Sequence, residues 1–330
     1  MKINGDYKTS VSVIIAAYNH ENYVADAILS IVDQTFDDIE LLVIDDGSTD
    51  KTWDVIVSLK DICEKRFSNV YFGRQENHGT CYTINELLKR SAGKYIFGLA
   101  SDDIVHKDAI SSFYNFLESN DDYALVVGEN MLIDKRGEIC YWNSSRKITY
   151  KLKDASYISF SDYLEKSNKA GITFDSSNFG SYQTLILGNY IPNGYLVRRD
   201  IYKVIGSYSD EAPLEDYWLM LQISKYYKMK FLRQTTFYYR WHDTNSVKNT
   251  SRMKDLIDKT IRYEYKLLVS KFKDLHNQVN DYLIKHFKKK ILDIGFLRIY
   301  KTRSIENKFY YLEICGFGFL VKYKTQNLLY

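Results

Sequence analysis

The chain has 330 residues, enough for one large α/β domain with additions or for two domains. Its 45% hydrophobic and 26% charged content is that of an ordinary globular protein, and a net charge of +3 is too balanced to argue for nucleic acid as a partner. No uncharged apolar stretch approaches the roughly 18 residues of a membrane span, and Cys63, Cys81, Cys140 and Cys315 lack the CxxC spacing of a zinc site or disulfide framework. The N-terminus has no charged region followed by an apolar core of the kind a signal peptide carries. Reduced thiols in a cytoplasmic protein, soluble or peripheral on the membrane, are the expectation.

The first 130 residues alternate strand and helix patterns. Residues 11–17 form a continuous apolar run, as expected of a strand buried on both faces. Tyr23, Ala27, Ile28, Ile31 and Val32 then recur at helical spacing. A second run, 41–44, is closed by Asp45-Asp46-Gly47-Ser48, and Ser48 or Asp50 can cap a helix through Trp53, Ile56 and Leu59. A third strand at 70–72 leads through Gln75-Glu76-Asn77-His78-Gly79 to a helix that Thr80 can cap, with Gly93 as its stop. The fourth strand, 95–100, is closed by Ser101-Asp102-Asp103. A helix over about 106–117 and a strand around 124–128 follow. This order predicts an α/β fold with a mostly parallel, Rossmann-like sheet flanked by helices and joined by right-handed crossovers.

Asp134-Lys135-Arg136-Gly137 reads as a hairpin turn between strands at 126–133 and 139–142. Residues 143–180 are polar and aromatic with weak periodicity, a mobile loop or small helical insert. Order returns at 184–187 and 195–197. A helix starts near Pro213 and runs through Trp218, Leu219, Leu221 and Ile223, residues 229–239 read as a strand, and from about Asn249 the pattern is helical, with Ile257, Ile261, Tyr265 and Leu268 on one side. The expected division is a domain over 1–248 and a basic, aromatic, helical extension over 249–330.

From Ser251 onward there are 17 Lys/Arg against 8 Asp/Glu, which leaves 28 against 34 in the remainder. A mildly acidic body with a basic tail fits attachment to an anionic surface, and also a merely solvated helical face. Lys285-His286-Phe287-Lys288-Lys289-Lys290 and Phe317-Gly318-Phe319-Leu320-Val321 suit an interfacial helix on an anionic leaflet. The same composition fits a helical subdomain packed on the rest of the chain, or a homodimer contact.

Two strands in the same half thus deliver carboxylates at their C-terminal ends, the edge where ligands bind in an open α/β sheet. Adjacent carboxylates after a buried strand repel each other unless positive charge sits beside them. Mg²⁺ or Mn²⁺ resolves that by taking one or two carboxylates plus phosphate oxygens, although a helix N-cap would account for Asp102 or Asp103 as well. Asp45-Asp46-Gly47-Ser48 is either a turn that favours these residues for backbone reasons or an acceptor for a base or ribose. No GxxxxGK or GxGxxG follows the first strand, which argues against a Walker cradle and against a dinucleotide oxidoreductase.

Asp216, beside Glu215, sits early in a helix whose dipole favours its charged form. There it can serve as general base for an incoming hydroxyl or simply stabilise the helix. Arg240-Trp241-His242 closes the later strand. Its Arg and His can bind pyrophosphate oxygens, and the His can join a metal or be structural.

In order along the chain, Val11-Ser12-Val13-Ile14-Ile15-Ala16-Ala17-Tyr18-Asn19, Val43-Ile44-Asp45-Asp46-Gly47-Ser48-Thr49-Asp50, Asn77-His78-Gly79, and Gly93 to Asp103 are followed by Pro192-Asn193-Gly194, Leu214-Glu215-Asp216 and Tyr239-Arg240-Trp241-His242. Over roughly residues 10–246 this series resembles glycosyltransferase family 2, the inverting, nucleotide-sugar-dependent transferases with the GT-A fold.

The resemblance implies that Ala16 and Tyr18 border the nucleotide base and that Asp46 hydrogen-bonds uracil or its equivalent. It implies that Asp102 contacts the ribose or sugar and that Asp103 binds Mn²⁺ or Mg²⁺. Asp216 would be the base, with Glu215 facing the acceptor, and His242 or Arg240 would meet the diphosphate. A basic residue common in the family near Asn77-His78-Gly79 is replaced by His78 or lost.

The implied activity is that of an inverting hexosyl- or N-acetylhexosaminyltransferase. It would move a sugar from a UDP-sugar to a hydroxyl of a glycan, lipid-linked, in bacterial O-antigen or capsule synthesis. A sugar nucleotidyltransferase should carry a glycine-rich, basic loop where Tyr18-Asn19-His20-Glu21-Asn22-Tyr23 stands. A carbohydrate-binding scaffold without activity is the non-enzymatic alternative. Donor specificity is expected around residues 170–195.

Overall fold

The computed structural model describes residues 7–286, 289–293, 297–303, 308–314 and 317–322. It divides into two compact units, residues 1–254 and 255–330. The first unit begins with β1 (Thr9–Ala17), α1 (Val24–Val32), β2 (Ile39–Asp45), α2 (Thr52–Ser58), α3 (Lys60–Arg66), β3 (Val70–Arg74), α4 (Thr80–Arg90) and β4 (Gly93–Ala100). It continues with β5 (Ile104–Val105), α5 (Ala109–Glu118), β6 (Tyr123–Asp134), β7 (Ile139–Trp142), β8 (Ile148–Thr149), α6 (Phe160–Ser167) and α7 (Tyr182–Leu185). The last elements are β9 (Tyr195–Arg198), α8 (Ile201–Ile205), α9 (Glu215–Ile223), β10 (Lys228–Trp241) and α10 (Thr250–Lys271), which carries the division.

The strand order is β3-β2-β1-β4-β9-β6-β10-β5. Pairing is parallel from β3 through β4 and again between β6 and β10, while β9 runs antiparallel to both β4 and β6. All seven residues of β2 are buried, because helices cover both faces of the sheet. On one face Val13, Ile15, Val43 and Phe97 pack with Ile28 of α1 and Phe113 of α5; on the other, Ile14, Leu42, Ile44 and Ile96 meet Leu87 of α4. Together these features make the mostly parallel, helix-flanked α/β sheet that the sequence predicts.

Register decides where the site lies. Ala16 aligns with Ile44 and with Ala100, so the chain leaves β1, β2 and β4 at one level. Asp46 and Ser101 therefore flank the exit of β1 at Tyr18. Gly93 starts β4 rather than stopping α4, since a Cβ there would stand 2.5 Å from the Ser12 nitrogen and Oγ. The helix ends instead where Ser91 turns to extended backbone.

Several expectations shift in detail. The strand expected at 124–128 continues to Asp134, and the expected hairpin to β7 forms. Within 143–180 lie β8 and α6, and the segment at 184–187 belongs to the short helix α7 and the turn after it. The extension is helical only through α10 and α11 (Lys273–His286). Beyond it β11 (Lys289–Asp293), β12 (Leu297–Arg303), β13 (Lys308–Ile314) and β14 (Phe317–Lys322) pair as an antiparallel meander. Their β-branched and aromatic content favours strands, so the run at 317–321 is a strand and not an interfacial helix. Phe287, Lys288 and Cys315 lie outside the described residues. Among the described residues no helix is long and apolar enough to cross a membrane.

Candidate active site

Asp46 is 4% exposed and every oxygen of its side chain is engaged. Oδ1 accepts from Gln75 Nε2 (2.8 Å) and the His78 N–H (3.0 Å), and Oδ2 accepts from the Gly79 N–H (2.9 Å). The side chain thus pins the 75–79 loop that leads into α4. Neighbouring Asp45 pairs with Arg74 Nε at 3.0 Å, which puts a cation beside this loop where the family resemblance left only His78.

The loop after β1 is tied to the loop after β2. Asn19 takes left-handed backbone (φ 54°) and its Oδ1 accepts from the Thr49 N–H, while the His20 N–H donates to Thr52 Oγ1 at 2.8 Å. These bonds aim His20 across the sheet edge toward the end of β4. Tyr18 is 46% exposed at the mouth of the site, and Ala16 is half-buried in β1 beneath it.

Asp102 Oδ2 lies 2.9 Å from His242 Nε2 and 3.8 Å from His20 Nε2. Burial alone would raise the Asp102 pKa, but the hydrogen bond with His242 and the two imidazoles hold it below the ordinary value. Burial pushes the His20 pKa down, against the pull of Asp102. The other ring nitrogens are also bound: His20 Nδ1 to Ser101 Oγ and His242 Nδ1 to Thr244 Oγ1, both at 2.8 Å. Among the described residues, His20, Asp102 and His242 form the group suited to a cation, with ligand atoms within 4.8 Å of one another. Two imidazoles and a carboxylate, with outer partners in place, fit a divalent ion such as Mn²⁺.

Asp103 is placed differently from the expectation that it binds the metal. It is 1% exposed, its Oδ1 accepts from the Arg240 N–H at 2.8 Å, and its carboxyl meets the Asn193 side chain. Burial, then the charge of Asp102, raises its pKa well above the ordinary value.

Arg240, expected as the alternative to His242 at the diphosphate, is bonded within the fold. Its Nε donates to the Asp102 main-chain oxygen (2.8 Å), Nη2 donates to Asp26 Oδ2 (2.7 Å), and the guanidinium lies over the Tyr23 ring. A guanidinium 1% exposed and turned into the fold is not available to a diphosphate.

Asp216 and Glu215 open α9 just after Pro213. Asn189 Nδ2 donates to Asp216 Oδ2 at 3.1 Å, and the Tyr217 N–H donates to Oδ1. Burial outweighs the hydrogen bonds from the Tyr217 N–H and Asn189 and raises the Asp216 pKa, contrary to the expected stabilisation of its charge. Burial, then Asp216, pushes Glu215 up to about 7.

The separate stretches converge through one loop. Asn189 holds Asp216, Asn193 meets Asp103, and the Asn193 carbonyl accepts from Asn130 Nδ2 at 3.0 Å. Gly194 follows with φ +69°, and a Cβ there would sit 2.0 Å from the Phe237 ring. Burial, then Asp103, Asp102 and Asp216, keeps the Tyr239 hydroxyl protonated, so all three carboxyls act on one side chain. Glu215 acts in turn on Cys81 of α4, the helix whose entry Asp46 pins.

His20 as a candidate ligand and Asn189 are not singled out by sequence pattern, and Asn193 and Tyr239 stand in the motif series without a role. The available signals are a histidine in the turn after a central parallel strand and asparagines on either side of Pro192.

A family model described as Glycosyl transferase family 2 matches residues 12–178. The chain is 42% identical over 114 residues to an uncharacterized glycosyltransferase of Rickettsia felis, covering 34% of this chain and 18% of that protein. It is 32% identical over 136 residues to a Bacillus subtilis protein provisionally named a teichuronic acid biosynthesis glycosyltransferase, TuaG, covering 39% of this chain and 53% of the relative. It thus spans from under a fifth to about half the length of these curated relatives.

Among solved structures it is similar to S. aureus TarS 1-349 in complex with UDP-GlcNAc, with TM-score 0.56 and 16% identity over 84% of this chain and 72% of that one. It is also similar to the mannosyltransferase PcManGT from Pyrobaculum calidifontis in complex with GDP-Man and Mn²⁺, with TM-score 0.51 and 12% identity over 84% of this chain and 75% of that one.

Proposed function

The chain belongs to glycosyltransferase family 2, and from that premise we propose that it transfers a sugar from a nucleotide-sugar donor to a glycan hydroxyl with inversion at the anomeric carbon. The observation that carries this reading is the loop that bonds Asp216 through Asn189 and Asp103 through Asn193, with Asp102 next to Asp103 and set between the imidazoles of His20 and His242. The UDP-GlcNAc of TarS supports a UDP-sugar as donor, and the TuaG likeness supports a surface glycan as product.

The mechanism follows from what each group can do. A sugar hydroxyl is a weak nucleophile, so Asp216 accepts its proton as the new bond forms. Asn189 and the Tyr217 N–H orient the Asp216 carboxylate for that transfer. Glu215, protonated or ionised near neutral pH, hydrogen-bonds the acceptor beside it. Asp102 and His242 would hold the divalent cation, Mn²⁺ or Mg²⁺, whose positive charge offsets the charge gathering on the departing nucleoside diphosphate. Tyr18 covers the base, Ala16 leaves room beneath it, and Asp46 orders the loop on the far side. The region 170–195 carries donor selectivity.

The acceptor is read as a lipid-linked oligosaccharide of O-antigen or capsule type, with residues 1–248 catalytic and the 249–330 extension bringing the enzyme to the inner face of the cytoplasmic membrane. The 17 to 8 excess of basic residues from Ser251 onward supports that reading. Release of nucleoside diphosphate from a panel of donors with Mn²⁺ tests the activity; no release from any donor, with or without glycan acceptors, overturns it. Cosedimentation with anionic vesicles at low salt tests the surface, and a chain that stays in the supernatant removes it.

A further inference from the structure

His20 belongs to the group suited to a cation, but the mechanism above assigns it no role. Its sequence distance from the other two groups is large, yet two sets of bonds and one backbone reversal bring it there. The His20 N–H donates to Thr52 Oγ1 and the Glu21 N–H to Asp50 Oδ2, which fastens the turn to the loop after β2. Asn19 reverses the backbone with its positive φ. Ser101 Oγ then takes the ring's Nδ1, leaving Nε2 pointed at Asp102 Oδ2, 3.8 Å away.

The His20 and His242 rings meet edge-on, 5.8 Å between centroids, with Tyr23 packed against both. Ligands bound to one ion at about 2.1 Å sit about 3–4 Å apart at adjacent coordination positions. The separations from Asp102 Oδ2 to the two Nε2 atoms, 2.9 and 3.8 Å, are in that range. Each ring also keeps the outer hydrogen bond that ligating histidines characteristically have.

We propose that His20 is a third metal ligand, completing with Asp102 and His242 a two-imidazole, one-carboxylate set that prefers Mn²⁺ to Mg²⁺. Mg²⁺ favours oxygen ligands and octahedral order, whereas imidazole suits the transition ions. The remaining coordination positions are left to water or to donor phosphate. This inference rests on the reading of a cation-assisted transferase and adds the residue that sets which cation serves.

The test is binding of Mn²⁺ and of Mg²⁺ to the full chain, without donor and with UDP, by titration calorimetry and by pulsed electron paramagnetic resonance of the bound Mn²⁺. Two imidazole nitrogens should couple to the ion in the wild type and one in His20→Gln. The Mn²⁺ affinity of that variant should fall about tenfold or more, with Mg²⁺ affinity changed less. Ser101→Ala, which removes only the outer bond, should weaken Mn²⁺ binding by a smaller factor at an unchanged melting temperature.

A single coupled imidazole in the wild type, or no Mn²⁺ bound with or without UDP, overturns the proposal whatever the variants do. If Asp102→Asn and His242→Gln lose Mn²⁺ while His20→Gln keeps it, the inference falls and the transferase reading stands. If Mn²⁺ binds through two imidazoles but no donor is ever consumed, the transferase reading falls and the ligand assignment stands.

Discussion

Asn189 and Asn193 stand four residues apart on one loop, and each meets a different carboxyl of the site, Asp216 and Asp103. The loop therefore ties the start of α9 to the end of β4, two elements 113 residues apart in sequence at those carboxyls. Gly194 lets the loop approach Phe237 of β10 closely enough to make both contacts. The spacing of Asp216 and Asp103 is thus set by a short segment that contains Pro192.

Asp216→Asn preserves the shape and the contact with Asn189 but cannot accept a proton. Transfer should fall by about 10²–10⁴, while UDP binds as in the wild type. Single-turnover transfer and calorimetric UDP binding check the two halves of this statement. Transfer at wild-type rate would remove Asp216 from the base role.

Asp102 and Asp103 are adjacent in sequence but should behave oppositely. Asp102→Asn removes the charge that faces His20 and His242, so Mn²⁺ binding should be lost. Asp103→Asn keeps an acceptor for the Arg240 N–H in a side chain already bonded within the fold, and should bind Mn²⁺ nearly as well as wild type. Asp103→Ala leaves that N–H buried and unpaired, a cost of about 1–3 kcal/mol in unfolding free energy. Mn²⁺ titrations and denaturant melts of the three variants check the contrast.

Glu215 gives a signed pH dependence. Its pKa rises from 4.5 to about 7 on folding, so between those values the folded chain holds a proton that the unfolded chain releases. Stability must therefore decline as pH rises from 4.5 through 7, and the penalty is complete above 7. Glu215→Gln removes the penalty. Its melting temperature should match the wild type near pH 4.5 and exceed it increasingly toward pH 8, measured by scanning calorimetry across that range. Activity should fall on the acid side at a pH above the ordinary aspartate range, because burial raises the Asp216 pKa.

Much of this was legible in the residues themselves. Continuous apolar runs ended by Asp46 and by Asp102 marked adjoining exits from a parallel sheet, because a strand buried on both faces leaves only its end for polar groups. Which of two adjacent carboxylates faces the cleft was not legible, since that depends on the turn after β4 and not on spacing. The role of Arg240 was hidden for a similar reason: an arginine at a strand end ordinarily reaches solvent, and only the arrival of Asp26 and the Asp102 carbonyl makes a buried one tolerable. The antiparallel β9 comes after the weakly patterned 143–180 segment and the short run at 184–187, where no periodicity announces direction. Basic and aromatic composition in the tail suggested helix up to the end, whereas pairing between neighbouring segments, a non-local property, makes the strands of 289–322.

Arg240 supplies the remaining prediction. Its guanidinium joins β10 to α1 through Asp26 and to the β4 exit through the Asp102 carbonyl, with Tyr23 beneath it. Arg240→Lys keeps a positive charge but cannot span these acceptors with a planar fork. The variant should lose about 1–3 kcal/mol of stability, the cost of leaving buried polar groups unpaired, and its UDP affinity in Mn²⁺ should change far less than that of Asp102→Asn. If Arg240 instead met the diphosphate, the order would reverse: UDP affinity would fall while the melting temperature held. Denaturant melts beside UDP titrations separate the two, and the burial of the side chain favours the first outcome.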